Sequence, residues 1–177
     1  MAAQNFQVIP ALGYGAEAKE IFENLNNESD RGVLLIGADA IESLLMELIV
    51  AGLPNHCSVE ERASLVKSFH VGGRSKLAQC LGLLNENECE QLKLLRKLRN
   101  AVAHHFKTFS LDEKEVAANV AQLSPGLPAG ILSQSTSPSR QHFVIFVAMF
   151  IATLTGKLAA ARKMPQVPIV GAKVDRA

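Results

Sequence analysis

Arg99, Asn100 and His104 are the residues whose types and spacing come nearest to a chemical kit. An arginine holds a phosphate through two parallel hydrogen bonds. A histidine moves a proton near neutral pH, and an asparagine beside them can orient either. Such a set suits cleavage of RNA, whose own 2′-hydroxyl supplies the nucleophile. The geometry of a straight helix works against it. At about 100° per residue, Arg99 and His104 stand about 140° apart. They flank an apolar stripe of Leu94, Leu95, Leu98, Ala101 and Val102. The two would meet at one phosphate across a symmetric dimer, or if the helix unwound before His104. The competing reading is architectural. Positive charge near a helix C-terminus is favourable, and Arg99 has Asp39, Glu42 and Asp30 as candidate partners. A binding surface is the third use of the same stretch, because Lys93, Arg96, Lys97, Arg99, His104 and His105 form the densest run of basic and imidazole groups in the chain.

Other constellations are thinner. Gly72-Gly73-Arg74-Ser75-Lys76 stands at a predicted helix start, where free amides, Arg74 and Lys76 could hold a phosphate. It is not a GxxxxGK[ST] loop, and a glycine pair also serves a tight turn. The histidines show no HxxxH or HExxH spacing, so no metal is expected. No cofactor motif, serine-histidine-acid set or nucleophilic cysteine arrangement stands out. Direct DNA binding is doubtful. The helix after Leu84-Asn85 opens on Glu86, Glu88 and Glu90, whereas recognition helices present their first residues to DNA phosphates and bases.

The elements that must position these groups are helices. Leu34, Ala38, Ile41, Leu45 and Leu48 alternate at spacings of three and four and predict a long helix over 30–51, capped by Ser29 or Asp30 and ended by Gly52 and Pro54. Ser58-Val-Glu-Glu61 has capping-box spacing and predicts a helix to Phe69, broken by Gly72-Gly73. Helical spacing resumes over 74–84. Asn85, a cap residue followed three positions later by Glu88, predicts a new helix beginning near Glu86 and reaching about His104. Ser110 to Glu113 repeats the box and opens a helix to about Leu123. A short amphipathic helix is expected over 15–25 and a last helix over about 139–163. Residues 124–139, rich in Pro, Gly and Ser, read as a loop or lid within one domain. No strand alternation persists. The predicted architecture is all-α, a single-domain bundle of six to seven helices spanning 15–164, with an N-terminal arm (1–14) and a flexible tail (165–177).

Composition agrees. The chain has 177 residues, 48% of them apolar and 5% aromatic, which suits one self-sufficient core built on Ala and Leu. A formal charge of +1 argues against wholesale nucleic-acid coating but leaves room for one local basic patch. Cys57, Cys80 and Cys89, with no CxxC and no export signal, point to free thiols in a reducing cytoplasm. The uncharged run 141–156 is shorter than the roughly 20 residues a span needs. It is bracketed or interrupted by Arg140, His142 and Lys157, so it reads as a buried core helix with no membrane role.

Four stretches also carry a family resemblance: Ser29-Asp30-Arg31 at the start of the long helix, FHVGGRSKL (69–77), AQCLGLL (78–84), and Leu94 to Asn100 with Ala103-His104. Together, over about residues 28–116, they resemble the mannitol operon repressor family of bacterial regulators, which is similar to the broader HEPN-type helical proteins. The family usually has Asp-Phe where this chain has Ala101-Val102, so one acidic group is missing. The resemblance implies an all-α dimer and a non-enzymatic role in regulating transcription for sugar-alcohol uptake or metabolism. With no DNA-reading motif, that role would run through a protein partner. It marks Asp30, Arg31, Arg96, Arg99, Asn100 and His104 as the signature positions. The HEPN ribonucleases imply the alternative: a metal-independent endoribonuclease acting on RNA, with Arg99 and His104 catalytic across a dimer and Asn100 in support.

Overall fold

The computed structural model describes residue 25, residues 27–104, residues 109–123 and residues 137–163, with the backbone alone at 103 and 104. Six helices make up the described structure, and no strand is present among these residues. They are α1 (Asp30–Gly52), α2 (Val59–Ser68), α3 (Val71–Cys80), α4 (Glu86–His104), α5 (Lys114–Val120) and α6 (Pro138–Lys163). The protein is an all-α helical bundle. The expected helix over 15–25, the terminal arm, the tail and nearly all of the 124–139 loop lie outside the described residues.

Local chemistry sets most helix starts. Ser29 Oγ accepts from the Gly32 amide at 3.1 Å and caps α1. Ser58 and Glu61 complete a capping box at α2, each satisfying the other's amide. Asn85 and Glu88 do the same at α4, at 2.9 and 2.8 Å. The Ser110–Glu113 pair behaves differently. Glu113 Oε1 accepts from the Ser110 amide, but the Ser110 hydroxyl donates to Asp30 and accepts from Asp112 N. With that oxygen engaged elsewhere, the helix begins later, at Lys114, and ends at Val120. The glycine pair also departs from expectation. Gly72 and Gly73 lie in the first turn of α3, and the chain breaks earlier, at Phe69 and His70, both extended. A first turn tolerates glycine because its amides need no intrahelical carbonyl. Helix α3 ends at Cys80. Gly82, at φ +70°, turns the chain, and the Leu83 and Leu84 amides return to the Ala78 carbonyl.

Helix α1 is the central element, packing on α2, α3, α4 and most extensively on α6. Its Val33, Leu34, Gly37, Ala38, Ile41, Leu45, Leu48 and Ile49 are buried. Gly37 lets α6 come close: a methyl there would stand 2.9 Å from Val147 Cγ2 and 3.3 Å from Phe143 Cε1. On α6, the Phe143, Phe146 and Phe150 rings stack in series at 6.4 and 5.4 Å. Helix α6 is long and apolar enough to cross a membrane by length and composition. Here it buries His142, Phe143, Phe146, Val147, Leu154 and Leu158 within the bundle.

Cations reach carbonyls at or just after the C-terminal ends of α1 to α4. The last carbonyls of a helix lack intrahelical donors and carry partial negative charge. Arg62 Nη1 donates to Val50 and Leu53 carbonyls at the end of α1, at 3.0 and 3.1 Å. Arg74 donates to Val66 and Lys67 carbonyls at the end of α2. Arg31 reaches the Val102 carbonyl of α4 at 2.8 Å. Lys157 of α6 donates to the Leu83 carbonyl at 3.0 Å and pairs with Glu88 at 2.7 Å, pinning the α3–α4 turn.

Candidate functional site

Arg99 sits on the flank of α4 that faces α1. Its Nη2 donates to Asp39 Oδ1 at 2.8 Å, and Nη1 lies 3.6 Å from Glu42 Oε1. Two of the three partners expected from the sequence are therefore engaged, while Asp30 serves elsewhere. The Arg99 side chain is 36% exposed and Asp39 60%, so the pair contributes only about 0.2–1 kcal/mol. Its chemical consequence is larger. A phosphate reaching this guanidinium must displace two carboxylates that also repel it. Asn100 is exposed, and its side chain makes no hydrogen bond to a described residue. Helix α4 stays helical through His104, without the unwinding that a single-helix active site would need. The His104 side chain and His105 lie outside the described residues.

Asp30 and Arg31 form a clasp at the N-terminal end of α1. Asp30 Oδ1 accepts from Arg140 Nη1 at 2.6 Å, and Oδ2 from the Leu111 amide at 2.8 Å and the Ser110 hydroxyl at 3.2 Å. Arg140 also donates to the Leu25 and Glu28 carbonyls. With Arg31 on Val102, this one dipeptide joins α1 to α4, to α6 and to the segment before α5. Asp112 extends the clasp: it accepts from the Ser139 amide at 3.1 Å and from the Ser137 hydroxyl, at the start of α6. Burial pushes the Asp112 carboxyl up, but the bonds from Ser137 and Ser139 outweigh it and hold its pKa below the ordinary value. A carboxyl lowered on folding adds stability that is complete above its unfolded pKa, about 3.9, and is lost as pH falls through the folded value. Asp112→Asn is therefore expected to remove part of the fall in thermal midpoint between about pH 5 and about pH 3. An unchanged acid profile would show that the contact carries no such dependence.

The Gly72–Lys76 stretch is only partly a phosphate kit. Arg74 turns back to α2, as above. Lys76 instead lines a cleft with Arg96 and Lys93, between α3 and α4. Among the described residues, no group of three or more His, Cys, Asp or Glu side chains is placed to hold a metal.

No protein-family profile matches the chain, and no curated protein matches it by sequence. Among solved structures, a chain from the X-ray structure of the MtlR–HPr complex of Escherichia coli is similar, with a TM-score of 0.59. This chain has an MtlR-like fold. The match covers 80% of this chain and 99% of that one, at 19% identity. The likeness is one of fold.

The MtlR-like bundle also depends on residues that motif reading passed over. His142, Arg140 and Lys157 entered the sequence argument only as interruptions of an apolar run. His142 Nε2 donates to the Leu123 carbonyl at 2.6 Å in the core. The legible signal was their setting, because a polar or charged group in an apolar helix needs a partner when it is buried.

Proposed function

We propose that this protein is a non-enzymatic, cytoplasmic transcription regulator of the mannitol operon repressor type, working as a homodimer through a protein partner. The observation that carries the reading is the likeness of the whole bundle to a chain solved in complex with another protein, HPr. Two features support it. The first turn of α4 holds Glu86 and Glu88, which would repel DNA phosphates from that helix start. The guanidinium that a ribonuclease would need is engaged with Asp39 and Glu42. Arg96 and Asn100 are then surface positions of the regulator, while Asp30, Arg31 and Arg99 maintain its frame.

HPr is the first partner to test. Calorimetric titration of the purified protein with HPr from the same organism is expected to give saturable binding, with light scattering reporting a dimer in the free state. No heat at any concentration would reject HPr as the partner, and a strict monomer would reject the dimer. RNA incubated with the metal-free protein is expected to stay intact. Cleavage that disappears in a folded His104→Ala variant would replace this reading with the endoribonuclease.

A further inference from the structure

Of the seven described arginines, six donate to a carbonyl or pair with a carboxylate. Arg96 is the exception: no described residue accepts from it. It is half-buried rather than free in solvent, and it lies across the first turn of α3. A methyl placed on Gly72 would meet Arg96 Nη1 at 2.1 Å, so the guanidinium fills the space that a side chain would take. None of its nitrogens is sealed from solvent, so an anion entering from outside can reach the guanidinium.

The cleft around it has the matching chemistry. Arg96, Lys76 and Lys93 line it together with Ser75, Gln79 and Cys89. Lys93 is tied to Glu90 at 2.5 Å, and Lys76 and Arg96 keep their charge unmatched. The lining contains no carboxylate. Burial, and next the charge of Glu88, push the Cys89 thiol up, so it adds no negative charge at neutral pH. Ser75 donates only a long 3.4 Å bond to the Val71 carbonyl. The N-cap of α3, His70, makes no side-chain hydrogen bond to the first-turn amides beside Arg96. The cleft measures about 170 Å³. That is well below the roughly 300–1,000 Å³ of a site for a drug-sized ligand, and it fits a single phosphoryl group.

We propose that this cleft binds a phosphate dianion, free or at the end of a small monoester, with Arg96 gripping two oxygens and Lys76 supplying the second charge. The site is independent of the partner reading and of Arg99. Its Arg96 and Lys76 come from two separate basic stretches of the sequence, which the packing of α3 on α4 joins.

The test is a ¹H–¹⁵N NMR titration of the full chain with inorganic phosphate and, separately, glucose 6-phosphate, against sodium chloride at matched ionic strength. The expected result is a saturable shift of the Gly72, Ser75, Lys76 and Arg96 resonances, with a Kd of about 1 mM or tighter. Arg96→Gln is expected to weaken it at least about tenfold. Gly72→Ala should do likewise while keeping the thermal midpoint, because its methyl displaces only the tip of Arg96. Tighter binding of glucose 6-phosphate assigns the site to monoesters, and tighter binding of phosphate to the free ion. No saturable shift, an equal shift with chloride, or undiminished binding by folded Arg96→Gln and Gly72→Ala proteins would overturn the proposal.

Discussion

Asp30→Ala is expected to lower the unfolding free energy by about 2–4 kcal/mol. Breaking a fully buried pair costs about 3–5 kcal/mol because the surviving charge stays desolvated. Asp30 and Arg140 are 18% and 20% exposed, so the cost is taken somewhat below that range. Three donors lose their acceptor together: Arg140 Nη1, the Leu111 amide and the Ser110 hydroxyl. Arg140 keeps the Leu25 and Glu28 carbonyls, which limits the damage. Asp30→Asn retains one acceptor oxygen and should lose about half as much. Urea denaturation reads the change, and a double-mutant cycle with Arg140→Ala should return a coupling of about 1–3 kcal/mol. Additive effects would show that the two residues act separately.

Phe143→Ala is expected to cost about 3–5 kcal/mol. The ring is fully buried. It lies over Gly37, where no side chain can swing in to fill a void, and beside Phe146. Both helices of the main interface lose contact at once. For a domain of this size the loss corresponds to a fall in thermal midpoint of roughly 6–20 °C. Phe143→Leu keeps more of the volume and should cost less than half as much. A midpoint within about 2 °C of the parent for Phe143→Ala would mean that the α1–α6 interface repacks freely. Net stability of domains is about 5–15 kcal/mol, so either alanine variant alone takes a large share.

Much of the fold was legible because its cues are local. The 3–4 spacing of Leu34, Ala38, Ile41, Leu45 and Leu48 marked α1 to within one residue of its ends. The Ser58 and Asn85 boxes marked the starts of α2 and α4. Each such cue joins residues within a turn or two of one another, so the chain carries it before any packing occurs. Gly72-Gly73 misled because a glycine pair fits both a break and a first turn. The choice depended on Phe69 and His70 being extended and on Arg74 folding back over α2. Ser110 misled for a similar reason, since its hydroxyl answers to Asp30, 80 residues away.

By itself the sequence determined the all-α class, the helices and their buried stripes, and the identity of the groups able to meet a phosphate. Tertiary structure alone decided which of those groups are occupied. Arg99 had three carboxylates within reach on paper, and the approach of α4 to α1 gave it Asp39 and Glu42. Asp30 went to Arg140, 110 residues on. Arg96 was left facing Gly72 and Lys76 across the α3–α4 contact. The reason is physical. Helical periodicity and caps are set by neighbours along the chain. The partner of a charge is set by which helices pack together and at what distance, and Coulomb attraction between exposed groups is too weak to choose that packing.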